Sequence, residues 1–130
     1  MALSRKSLGF PKQVAAGTTS TIYSVTSNQT AFIRTIGIHN RSLGSSTDSV
    51  STVVQIYVVP NSGGSAGTPS SQHAIGRLVL PANDTFFFEP HYPIVLDNTG
   101  DSLQIYNEGT NNSGVSNTPV NVFLLGDKEV

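Results

Sequence analysis

The residues of this chain whose types could do chemistry are few, and their spacing does not gather them. The three histidines, His39, His73 and His91, include no H-x-H or H-E-x-x-H pair, the spacings by which neighbouring imidazoles reach one metal ion. Gly63-Gly64-Ser65-Ala66-Gly67 spells G-x-S-x-G. A nucleophile elbow needs a strand directly before that motif and a helix directly after it. Here Pro60-Asn61-Ser62 precede and Thr68-Pro69 follow, so the stretch reads as a loop of small residues. Asp97, Asn98 and Asp101 crowd together in LDNTGDSL. Calcium takes about six to eight oxygens from a dense loop, and the EF-hand spacing is absent. Asp97 and Asn98 read instead as turn caps, with Asp101 bonding local backbone. Carboxylate pairs such as Asp84 with Glu89, or Asp97 with Asp101, would cut sugars only across a cleft at about 5–9 Å. A domain with short loops leaves little room for one. No G-x-x-x-x-G-K phosphate loop occurs, and no cysteine, which excludes disulfides, thiolate metal sites and a Cys nucleophile. The expectation is a protein that is not an enzyme and holds no cofactor or metal.

The remaining signals concern contact. Tyr57, Phe87, Tyr92 and Tyr106 are candidates for faces that the chain's own core does not cover, because aromatic rings bury large areas and anchor interfaces. The alternative for each is ordinary core packing, since sandwiches bury most of their aromatics. Formal net charge is −1, which argues against a general nucleic-acid binder. The charge is uneven. Arg5, Lys6 and Lys12 are three of the 7 basic residues, and no acid occurs in residues 1–12. No stretch approaches the roughly 20 apolar residues of a membrane helix, and no apolar run of signal-peptide length follows the first basic residues.

The elements that must position these residues are strands. Ser, Thr, Asn and Gly make up 52 of the 130 residues and charged residues only 12%, while Val, Ile, Leu and Phe are plentiful. That balance fills strands and turns rather than helices. Strand patterns fall at residues 21–26, 31–40, 52–59, 75–80, 85–89, 94–96, 103–107 and 120–125. In the second, Phe32, Ile36 and Ile38 are expected on one face with Arg34 among them. In the third, apolar residues on both faces imply cover on both sides. Residues 61–72 read as a low-complexity loop without an anchor. Residues 1–19 show no clear periodicity and read as an extended arm, ordered against a partner. The fold expected is all-β: an antiparallel β-sandwich, jelly-roll-like, of about eight strands, with residues 20–130 as a single domain and 1–19 as its arm.

Several of these strands carry a family pattern. TIYSVTSNQTAFIRTIGIHNRS is followed by VVQIYVVPNSGG, then LVLPANDTFFFEP, IVLDNTGDSLQIYN and a closing VNVFLLG. Over residues 20–127 this resembles small virion proteins of tailed bacteriophages. The resemblance implies a β-sandwich or jelly-roll structural protein of the particle. The role favoured is capsid decoration (cement), in which a homo-oligomer, a trimer, docks on the major capsid protein or another virion protein. Arg5, Lys6, Phe10 and Lys12 would then contact the shell. The alternative is a tail, baseplate or fibre module that binds host-surface glycans through loops 43–49, 61–72 and 108–118, although the chain has no tryptophan. On this reading a chain lacking residues 1–19 is expected to fold but to fail in binding particles.

Overall fold

The computed structural model describes residues 3–9, 11–27, 29–41, 51–109 and 119–129. It contains ten strands: β1 (Leu3–Ser7), β2 (Lys12–Val14), β3 (Thr18–Ser24), β4 (Ala31–Asn40), β5 (Thr52–Val59), β6 (Ala74–Leu80), β7 (Thr85–Phe88), β8 (Ile94–Leu96), β9 (Ser102–Gly109) and β10 (Val120–Glu129). One short 3-10 turn, Ser71–His73, precedes β6. Every strand pairing is antiparallel.

The strands form a six-stranded and a four-stranded sheet. In the first, β10 and β4 are central. β1 and β2 lie end to end along the free side of β10, and β7 and β8 lie end to end along the free side of β4. Each end-to-end pair is one strand position with a break in it. Gly9, at φ 148°, and Pro11 fall in the first break, and Pro90 and Pro93 in the second. Proline has no N–H for the ladder, so the pairing lapses there and resumes beyond. Counting each pair once gives eight positions, which the chain visits by crossing between the sheets. The second sheet runs β3-β9-β5-β6. This is the double Greek key of a jelly roll, so the expected sandwich class holds.

The core is the slab between the sheets. Ile33, Ile36 and Ile38 of β4, Val122 and Leu124 of β10 and Val14 of β2 meet Val54 and Ile56 of β5, Leu103 and Ile105 of β9 and Leu80 of β6, all fully buried or nearly so. Two buried asparagines tie the sheets together. Asn107 on β9 donates from Nδ2 to the carbonyl of Val14 on β2 at 3.1 Å. Its Oδ1 accepts from Thr52 Oγ1 at 2.5 Å and from the Gly109 N–H at 3.0 Å. Asn40 on β4 donates from Nδ2 to the Leu80 carbonyl on β6 at 3.0 Å.

The structure differs from the sequence pattern in two places. In β4, Leu125 stands opposite Thr35 and Gly126 opposite Ile33, which leaves Arg34 as an extra residue. This bulge flips the alternation, so Ile33 joins Ile36 and Ile38 in the core while Phe32 turns to the outer face with Asp127. Position 126 must be glycine, because a Cβ there would stand 2.0 Å from the Phe32 carbonyl oxygen. Arg34 donates from Nε to Asp127, whose side chain is buried.

The second difference concerns residues 1–19. Their described part is extended, but it runs along β10 of the same chain. Val14 is fully buried, Leu8 nearly so, and the Leu8 N–H donates to the Leu124 carbonyl at 3.2 Å. The cause is the edge of β10, whose N–H and C=O groups need partners. A chain lacking residues 1–14 is therefore expected to lose roughly 3–6 kcal/mol of stability from two buried aliphatic side chains alone. Denaturant unfolding would measure this, and unchanged stability would contradict it. Asn107→Ala is expected to cost about 2–4 kcal/mol by stranding the donors and the acceptor it serves, read in the same experiment.

Candidate functional site

Alternation along β5 and β9 places one set of side chains in the core and the other on the outer face of the four-stranded sheet. With Val54, Ile56, Leu103 and Ile105 inward, Gln55, Tyr57, Gln104, Tyr106 and Glu108 face out. In register, Arg77, Gln55, Tyr106 and Thr19 form one row across the four strands. Tyr57, Gln104 and Thr21 form the next. Val53 pairs with Gly109 and Val54 with Asn107, so Glu108 is the extra residue of a second bulge.

A hydrogen-bonded chain runs along this face. Tyr57 Oη donates to Gln55 Oε1. Gln55 Nε2 donates to Glu108 Oε2 at 2.8 Å. Arg77 grips the same carboxylate with Nε at 2.8 Å and Nη2 at 3.2 Å. The Arg77 hydrogen bonds, helped by that of Gln55, hold the Glu108 carboxyl below the usual range against the opposing push of burial. Beside this chain lies an open depression of about 440 Å³, lined by Tyr57, Tyr106, Gln104, Thr19 and Gly67 to Pro69.

The loop after β5 is anchored, contrary to its sequence appearance. The Asn61 N–H and Nδ2 donate to Asp101 Oδ1 at 2.9 and 3.1 Å, and the Asn98 N–H donates to Oδ2 at 3.0 Å. Gly67 is held by Gln104 Nε2, which donates to its carbonyl at 2.8 Å. Ser65 sits in a tight turn, bonded backbone to backbone with Ser62. The two aspartates of LDNTGDSL thus differ in use: Asp101 fastens a remote loop, while Asp97, among the described residues, accepts from neighbouring Asn98 alone.

The outer face of the six-stranded sheet has a different character. Phe123, Gly37 and Phe87 lie in one row across β10, β4 and β7. The Phe123 ring lies where a side chain at position 37 would be, and Phe87 meets it edge to face at 6.0 Å. Phe87 is 55% exposed, Val95 49% and Leu125 45%. Tyr92, in the break between β7 and β8, is 77% exposed and packs edge to face on His91 at 4.8 Å.

The residues singled out from sequence therefore fall in separate places. Tyr57 and Tyr106 share the depression on one sheet. Phe87 and Tyr92 belong to the other sheet. Arg5 and Lys6 lie in β1, opposite Asp127 and Gly126. Lys12 is exposed on β2 and donates from Nζ to the Thr21 carbonyl at 2.8 Å. Phe10 lies outside the described residues, as do loop residues 42–50 and 110–118. The histidines stay apart: His39 shares a hydrogen bond with Thr85 at 2.8 Å, His73 bonds Ser70, and His91 packs on Tyr92. Sequence reasoning passed over Gln55, Gln104, Glu108 and Phe123. Their signal was alternation with the core residues beside them.

No protein-family model matches the chain, and no curated protein does. Among solved structures, the chain is similar to one in the structure of infectious bursal disease virus Gx strain, with a TM-score of 0.47 and 11% identity. That likeness covers 98% of this chain and 31% of the other. It is also similar to a chain of the nora virus structure, with a TM-score of 0.34 and 16% identity, over 98% of this chain and 60% of that one. Neither likeness places a functional residue on this chain.

Asp101 gives a pH test. Burial pushes its carboxyl up, but the hydrogen bonds from Asn61 and Asn98 outweigh this and leave it below the ordinary 3.8. A lowered carboxyl stabilises above its unfolded value and stops doing so as pH falls through the folded one. The backbone amides of Asn61 and Asn98 are expected to lose exchange protection only below about pH 4, with Asp101→Asn weakening them at neutral pH. Protection unchanged by either would contradict the anchor.

Proposed function

We propose that this chain is a non-enzymatic structural protein of a virion, and specifically a capsid decoration protein that docks on the major capsid protein and stabilises the shell. The observation that carries the reading is the outer face of the six-stranded sheet, where Phe87, Val95 and Leu125 stand in solvent. Exposed apolar side chains collected on one sheet face mark a contact surface rather than a solvated one. The strand motifs that resemble tailed-bacteriophage virion proteins support the same role. The carboxylates of Glu108, Asp127 and Asp101 accept hydrogen bonds from Arg77, Arg34, Asn61 and Asn98.

Arg5 and Lys6 lie on β1, the edge strand of the sheet that carries Phe87 and Leu125. Lys12 lies on β2 along the same edge, although its ammonium turns to the Thr21 carbonyl of the four-stranded sheet, and Phe10 falls in sequence between them. On this reading the sheet would present its apolar face to the shell with β1 and β2 at the margin of the contact, and a homotrimer would be the assembled unit. The four-stranded sheet would then face outward. The second reading is a tail, baseplate or fibre-associated module that binds host-surface glycans.

Phe87→Ser combined with Leu125→Ser tests this. Both side chains are exposed, so folding is expected to persist. Binding to particles stripped of the protein, measured by co-sedimentation, is expected to fall at least tenfold, as for central interface anchors worth about 2 kcal/mol or more. Undiminished binding would remove the six-stranded sheet as the docking side.

A further inference from the structure

We infer that the depression on the outer face of the four-stranded sheet is a binding site for a neutral saccharide. The site is separate from the docking face and does not depend on the virion role.

Its first element is a pair of rings. Tyr57 on β5 and Tyr106 on β9 are diagonal neighbours, since Tyr57 stands opposite Gln104 and Tyr106 opposite Gln55. Diagonal positions on one sheet face are about 7–8 Å apart, close enough for two aromatic rings to share one ligand. The Tyr57 hydroxyl is held by Gln55, which fixes the ring.

The second element is an orphaned acceptor. Gln104 is only 4% exposed and lines the depression. Its Nε2 is committed to the Gly67 carbonyl at 2.8 Å and to Ser102 Oγ at 3.0 Å. Its Oε1 accepts no hydrogen bond from the described residues. Buried polar atoms are almost always satisfied, so this oxygen calls for a donor from outside the described residues, a water when the depression is empty and a ligand hydroxyl when it is filled.

The donor's chemistry follows from the lining. Thr19 and Thr68 add hydroxyls, Pro69 an apolar face, and among the described residues no charged side chain lines the depression. On the neighbouring positions of the same face, Arg77 and Glu108 neutralise one another in a bidentate pair. The volume of about 440 Å³ lies within the range of small-ligand sites. A sugar ring offers an apolar C–H face to the tyrosines and hydroxyl donors to Gln104 Oε1. A proline-rich peptide, the other usual occupant of tyrosine-lined grooves, is rich in carbonyl acceptors and poor in N–H donors, so it suits an orphaned acceptor badly.

The full chain should be screened against arrayed neutral oligosaccharides built on glucose, galactose, mannose and N-acetylglucosamine, with a polyproline peptide as a comparison. The best saccharide should then be titrated by NMR. Saturable binding is expected, with the Gln104 side-chain amide signals shifting. Tyr106→Ala should weaken binding at least tenfold, and Tyr57→Phe, which keeps the ring but loses the hydroxyl that fixes it, should weaken it less. The NMR titration of the unaltered chain decides the matter even if Tyr106→Ala folds poorly. No saccharide binding, shifts away from Gln104, or binding by the polyproline peptide alone would overturn the assignment. Particle docking should be unaffected by Tyr106→Ala, so failure here leaves the docking face standing.

Discussion

Asn107 holds the two sheets to each other, and much of the molecule depends on it. A slab of aliphatic side chains gives cohesion without direction, because the hydrophobic effect is not directional. The amide of Asn107 supplies direction. Its nitrogen reaches across to β2 while its oxygen takes Thr52 and Gly109 within its own sheet. Desolvated and paired, such a group admits one register, since any shift would strand several polar atoms at once. It also explains why a strand of only three residues, Lys12–Val14, stays in place. Asn40 makes a second crossing to Leu80. With the register fixed, the outward side chains of both sheets are fixed too.

Those two outward faces are chemically unlike. The six-stranded sheet shows Phe87, Val95 and Leu125. The four-stranded sheet shows tyrosines, glutamines and a neutralised Arg–Glu pair. An apolar face suits a lasting contact that excludes water, whereas a polar, ring-bearing depression suits a small exchangeable ligand. A jelly roll does not dictate either use, because function lives in what the faces carry. Under the proposed role, this division would let one small domain hold a surface with one side and sample the solvent with the other.

Much of this was legible in the sequence. The strands at 31–40 and 52–59 announce themselves by β-branched runs, and the break after β5 by Pro60. The first edge strand was hidden because Gly9 and Pro11 interrupt it and its second piece has three residues, too few to show a period. The facing of Phe32 was hidden by the bulge at Arg34, which shifts parity without leaving a mark in the residue types. Asp101 read as a local turn former, and its bond to Asn61, 40 residues away, belongs to tertiary structure alone. The tyrosines were picked out one by one. That Tyr57 and Tyr106 fall on diagonal positions of one face, and that Gln104 lies buried in the row of Tyr57, required the register of β5 on β9.

The central claim is that the six-stranded sheet faces a shell and the four-stranded sheet faces away from it. The most direct measurement is a cryo-electron microscopy reconstruction of particles carrying the protein, at a resolution that separates the two sheets. The expected map shows Phe87 and Leu125 against the shell, β1 at the contact rim, and the Tyr57–Tyr106 depression open to solvent. A map with the four-stranded sheet against the shell, or particles to which the protein does not bind at all, would contradict it.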